Sequence, residues 1–167
     1  DEATLEFWCW YDIEADWDYA YVEVSTDGGA TWDILRTPSG TDTNPNGNSF
    51  GSAYTGTSGG SETSQWIREE VDLSDYAGQD VQGRFEYITD DAVNRPGLVL
   101  DDISIPQINY SSDFETDGGG WEPAGFIRHA NVLSQRWLVQ LVTFGPETAG
   151  QRLELSEDQT GAWTGPL

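Results

Sequence analysis

Val22-Glu23-Val24-Ser25-Thr26-Asp27-Gly28-Gly29-Ala30-Thr31-Trp32-Asp33-Ile34-Leu35 decides the fold class. Two runs of alternating apolar and polar residues flank Asp27-Gly28-Gly29. Alternation with a period of two is strand patterning. Asp-Gly suits the turns whose twist matches that of paired strands, because those turns need φ > 0, which Gly adopts without a Cβ clash. The stretch predicts a β-hairpin with Val22, Val24, Trp32 and Ile34 turned toward a core. It also fits the Asp-box pattern Ser-x-Asp-x-Gly-x-Thr-Trp, which marks a hairpin and by itself specifies no chemistry.

Working outward, strand-like runs recur at Leu5–Trp10, Tyr19–Ser25, Thr31–Leu35, Trp66–Asp72, Val81–Ile88 and Gly97–Ile105, with turn signals between them. Val81, Phe85 and Tyr87 alternate on one face, with Gly83 in the remaining inward place. Helical periodicity is weak and confined to Asn131–Gln140. The fold class that follows is all-β, an antiparallel β-sandwich. In such strands Trp8 and Trp10 are expected in the core, and so is the thiol of Cys9.

Composition limits the partners. The 167 residues hold 30 acids against 7 Arg and no Lys, a formal net charge of −23. Such a surface repels nucleic acid and anionic lipid. Carboxylates suit hard cations such as Ca²⁺, which take oxygen ligands. High salt would screen the self-repulsion. No apolar run approaches the roughly 20 residues of a membrane helix. The chain begins at Asp1 and has no Met, which reads as a processed or trimmed product. Cys9 is the only cysteine and His129 the only histidine, so an internal disulfide is impossible and a Cys/His catalytic pair is not expected.

Thr37 to Ser64 is rich in Thr, Ser, Gly and Asn, with Phe50 and Tyr54 as its larger apolar residues. It reads as a mobile insertion or surface loop, a place for O-linked sugars. Pro106–Ser111 reads as a junction. Residues 1–106 carry 22 acids and 4 Arg, whereas 107–167 carry 8 acids and 3 Arg. The second segment, with its alternating run Trp137–Val142, is too short for a comfortable sandwich of its own.

Several motifs occur in one order: Trp10-Tyr11-Asp12-Ile13-Glu14, Asp18 to Ser25, Asp72-Leu73-Ser74 with Tyr76-Ala77-Gly78, Thr89-Asp90-Asp91, and Leu100-Asp101-Asp102-Ile103. Together they resemble the non-catalytic MAM-like or carbohydrate-module-like jelly roll of secreted immune-inhibitor-A-like metallopeptidases. Asp113-Phe114-Glu115 to Trp121, with Gly125 to Arg128 and Asn131, resembles the segment that follows it. The resemblance implies a jelly roll over 1–106 and a second, partial β segment over 107–167. It also implies an extracellular location, secreted or at the cell surface. The family's peptidase uses a His-Glu-x-x-His zinc helix, which a single His cannot supply, so no enzyme activity is expected of this chain. The family's jelly roll opens with a Phe-Glu…Gly-Trp strand; here that type of strand stands at Asp113–Trp121, behind the last one. It would complete the first segment or add to a neighbouring copy, giving a homo-oligomer or a filament.

The resemblance also implies a structural Ca²⁺ held by Glu115 and Asp102, with Asp101, Asp90 and Asp18 as further ligands. A carboxylate at Asp101-Asp102, between Val99-Leu100 and Ile103, would be costly to bury unpaired. Asp12, Glu14 and Asp16 read as a solvated acidic face. Trp17, flanked by Asp16 and Asp18, is the aromatic expected to be exposed for a glycan or an extracellular protein; Trp8, Trp10 and Trp163 are weaker sugar-stacking candidates. Nothing singles out a glycosidase-type acid pair among the 30 acids. Three functions follow: a Ca²⁺-stabilised module for adhesion, glycan or substrate contact; a subunit of an extracellular polymer; and a cryptic hydrolase.

Overall fold

The computed structural model describes residues 2–128, 137–144, 146, 148–156 and 160–162. Its strands are β1 (Thr4–Asp12), β2 (Tyr19–Ser25), β3 (Asp33–Ile34), β4 (Ile67–Asp72), β5 (Gln82–Ile88), β6 (Gly97–Ile105), β7 (Tyr110–Ser112), β8 (Leu138–Thr143) and β9 (Ala149–Glu154). Two compact units divide the chain, 1–124 and 125–167. That division lies beyond the junction read at 106, because Tyr110, Phe114 and Trp121 pack on the core of the first unit.

The first unit is an antiparallel β-sandwich. One sheet has the order β4-β1-β6-β7 and the other β3-β2-β5. Leu5, Phe7, Cys9 and Tyr11 of β1 meet Val22 and Val24 of β2 in a single buried cluster. The period-two alternation of β1 sends these four inward and leaves Glu6, Trp8, Trp10 and Asp12 on the opposite face. Trp8 is therefore outside the core, 38% exposed. Trp32 and Ile34 are half-buried at the sandwich edge.

Thr37–Ser64 is ordered by contacts that its composition conceals. Ala20 and Tyr54 exchange backbone hydrogen bonds of 3.0 and 2.8 Å. Tyr54 joins the main core, and Ala53 buries the outward faces of Tyr19 and Tyr21. This second cover is why every residue of β2 is buried. Glu69 of β4 lies fully inside; its Oε2 accepts from the Tyr54 hydroxyl at 3.2 Å, while its Oε1 has no hydrogen-bond partner.

Behind β6, β7 pairs within its own chain, Ile103 with Ser112 and Ile105 with Tyr110. Asp113–Trp121 forms turns and no strand, since the chain leaves the sheet at Phe114, φ 56°. A Cβ at Gly119, φ 59°, would run into Ser112, so the glycine run lets this segment close tightly. Trp121 then stacks against Phe85 with centroids 5.3 Å apart, and its indole N–H donates to the Tyr110 hydroxyl at 2.7 Å.

In the second unit, β8 and β9 form an antiparallel hairpin from Leu138 opposite Glu154 to Thr143 opposite Ala149. Leu138–Gln140 are thus strand, not helix; residues 131–136 of the weak helical reading lie outside the described residues, as do His129 and Trp163. Among the described residues, no helix is long and apolar enough to cross a membrane.

Candidate metal centre

Glu14, Asp18 and Asp90 converge, each offering a carboxylate oxygen within 4.8 Å of the others. Three local structures bring them together. Just beyond β1, the chain reverses through Ala15–Trp17, with Asp18 N–H donating to the Glu14 carbonyl at 3.0 Å. Asp16 takes a left-handed φ of 67°, which Asp tolerates better than most residues, and its N–H donates to Thr55 Oγ1 at 2.9 Å. Asp18 stands immediately before β2, whose antiparallel partner β5 ends at Ile88 opposite Tyr19. Asp90, two residues further, donates its N–H to Asp18 Oδ1 at 2.9 Å.

Asp18 is fully buried, and its Oδ2 accepts from the Tyr87 hydroxyl at 3.1 Å. Burial, followed by the Asp18 charge, pushes the Tyr87 hydroxyl up to about 12, with Asp12 and Glu14 adding to the effect. The local potential is strongly negative. Glu14 Oε2 is buried without a hydrogen-bond partner. Among the described residues, the arginine pairs lie elsewhere, the nearest in sequence being Arg95 with Asp12 at 4.0 Å. Three carboxylates this close repel one another unless a cation or a proton compensates them. The all-oxygen donor set and the orphaned Glu14 oxygen fit a hard divalent cation such as Ca²⁺.

Of the ligands expected from sequence, Asp18 and Asp90 are in this group. Asp101, Asp102 and Glu115 are not. Asp102 sits on a β-bulge opposite β1, with φ 48°. The bulge leaves it exposed, so the expected cost of burying its carboxylate does not arise. Asp102 instead lines an open polar hollow of about 380 Å³ with Ser111, Asp113, Thr116 and Asp117. Asp101 accepts the N–H of Asp102 at 2.9 Å and lies opposite Trp8. Glu115 donates its N–H to Asp113 Oδ1 at 3.1 Å. Trp17 is 44% exposed on the reversal between β1 and β2. Glu14, expected from sequence on a solvated acidic face, is instead the third member of this group, with one carboxylate oxygen buried; the available signal was its four-residue spacing to Asp18 across a turn.

Chemistry of another kind is remote from Cys9. Burial, reinforced by the Glu69 carboxylate, pushes its thiol up to about 12, where the nucleophilic thiolate is scarce at neutral pH.

A family described as "Immune inhibitor A-like, MAM domain" matches residues 1–131. The chain belongs to that family. Among curated proteins, this MAM domain is 31% identical over 101 residues to Bacillopeptidase F of Bacillus subtilis, covering 60% of the chain and 6% of that protein. It is 34% identical over 104 residues to the pre-pro-metalloprotease PrtV of Vibrio cholerae, covering 62% of the chain and 10% of PrtV. It is 33% identical over 116 residues to Immune inhibitor A of Bacillus thuringiensis, covering 68% of the chain and 15% of that protein. The chain thus spans a small part of each of these relatives. What it shares with them is the accessory MAM region of immune-inhibitor-A-like peptidases. The segment through residue 128 that packs on or follows the sandwich falls inside the family match.

Proposed function

We propose that this MAM domain is a non-catalytic extracellular module, stabilised by Ca²⁺ and serving as the contact-making part of a peptidase of this family. The observation that carries the cation is the meeting of Glu14, Asp18 and Asp90, with Asp18 buried and a Glu14 oxygen left without a partner. A cation there would tie the end of β1 to the β2–β5 pair, joining the two sheets at one end of the sandwich. It supplies counter-charge, not catalysis. The single His of the chain cannot provide the paired histidines of a His-Glu-x-x-His zinc site.

Thermal melting with Ca²⁺ and with chelator, at constant ionic strength, tests the cation. Binding only to the folded state at a concentration 100 times Kd stabilises by about 2.7 kcal/mol, or roughly 8–13 °C for a domain of this size. Glu14→Gln should remove most of that shift, and Asp18→Asn should do the same if it folds. Asp102→Ala should leave it intact. A shift lost in Asp102→Ala and kept in Glu14→Gln would move the ion to the hollow beside Asp113 and Asp117. No shift at all would remove the cation.

A further inference from the structure

The outward face of the β4-β1-β6 sheet carries a second feature, separate from the carboxylate group. Register aligns two rows across it. Trp8 lies opposite Arg68 on β4 and Asp101 on β6. Trp10 lies opposite Val99, and Trp66 is the residue just before β4, which pairs as far as Cys9 opposite Ile67. Trp8, Trp66 and Val99 are 38, 46 and 37% exposed. The Trp10 indole N–H donates to the Ser64 carbonyl at 3.1 Å, so its polar edge is already satisfied. Trp8 and Trp10 are fixed on a strand hydrogen-bonded on both sides. Exposed aromatic surface is thus displayed on a strand held from both sides, with Trp8 flanked by a guanidinium and a carboxylate.

We infer that this face binds a neutral polysaccharide, with pyranose rings laid on Trp8 and Trp66 and hydroxyls bonded by Arg68 and Asp101. Three features select that occupant. The net charge of −23 opposes polyanions. A second copy laid face to face would bring two faces together that each carry Glu6, Glu70 and Asp101 with Arg68 as counter-charge, a net like-charge contact. The apolar area on offer is on the order of 300 Å², from aromatic side chains of about 150–250 Å² each that are less than half exposed, whereas a stable protein–protein interface takes about 800 Å² per partner. Sugar rings offer apolar C–H faces for stacking, and their hydroxyls both donate to carboxylates and accept from Arg. Arg68 is held at 2.8 Å by both Glu6 and Glu70, which presents it in a fixed place. The inference rests on the domain being a contact-making module, and it does not depend on the cation.

Native gels cast with soluble β-glucan, with xylan, or with alginate as the polyanion test it, followed by calorimetry with whichever polymer retards the chain. At least one neutral polymer should retard the wild type and alginate should not. Trp8→Ala and Trp66→Ala should weaken binding tenfold or more, while Phe50→Ala, at an exposed aromatic outside this sheet, binds as wild type. Trp66 precedes its strand, so its variant is the one expected to keep the wild-type melting point. Repeating the gel with excess chelator on chain still folded by circular dichroism separates this result from the cation's. Absence of retardation by either neutral polymer would overturn the assignment. So would undiminished binding by the Trp8 and Trp66 variants, or a wild-type dimer that Trp66→Ala converts to monomer, which would give the face to a second copy.

Discussion

Asp27 shows how one side chain fixes the hairpin from which the fold was read. Its Oδ1 accepts the Thr31 N–H at 2.9 Å and the Ser25 hydroxyl at 2.8 Å, and its Oδ2 accepts the Thr31 hydroxyl at 2.7 Å. These bonds, led by the Thr31 N–H, hold the carboxyl down at about 2. The unfolded value is about 3.9. A carboxyl lowered by folding stabilises the native state above its unfolded pKa, and that contribution is lost as pH falls through the folded one. Asp27→Asn should therefore lower the melting temperature at neutral pH. The gap between wild type and variant should close between about pH 4 and pH 2. A gap that stays constant down to pH 2 would mean that these bonds contribute nothing through the charge. The next residue of the motif has a different partner: Arg84 lies 4.3 Å above the Trp32 ring while pairing with Glu23, which anchors the hairpin tip to β5.

At the scale of elements, β7 and the turns after it replace a strand by an aromatic plug. Phe85 of β5 touches Phe7 across the core, with centroids 5.0 Å apart, and meets Trp121 on its other side. Trp121 is half-buried, so its truncation should cost about half the core value for Trp→Ala, roughly 2 kcal/mol. That corresponds to a fall of about 6–10 °C in the melting temperature. Trp121→Ala measured by calorimetry checks this. An unchanged midpoint would show that the segment is not docked in solution. The β-bulge at Asp102 belongs to the same scale: one inserted residue turns a carboxylate out of the sandwich that unbroken alternation would have set among apolar neighbours.

Over the whole molecule, charge dominates. With 30 acids and 7 Arg, the chain repels itself at low ionic strength. The screening length falls from about 10 Å at 0.1 M salt to about 3 Å at 1 M. The melting temperature should rise steadily with NaCl over that range, measured with chelator present so that divalent ions do not contribute. A fall with salt would place the controlling electrostatics in the ion pairs, not in the net charge. The same surplus explains why polar contacts of Arg68 and Arg84 are crowded: each guanidinium serves two carboxylates.

The hairpin at Asp27, the main strands, the sandwich class and the family were legible in the sequence, because turn chemistry and period-two alternation are local properties. Other features were decided only by tertiary structure. In β1 both alternating sets contain large apolar residues, Phe7, Cys9 and Tyr11 on one face and Trp8 and Trp10 on the other. Periodicity says that the two sets part company; it does not say which set meets the second sheet. The Thr37–Ser64 segment has loop composition, yet Tyr54 pairs with Ala20 of β2 through backbone bonds across a long stretch of sequence, and Ala53 packs on Tyr19 and Tyr21. Glu14 and Asp90 are separated by most of the sandwich along the chain, and they meet because β2 and β5 are neighbours. Local pattern determines what each strand can bury, whereas strand order determines which side chains meet.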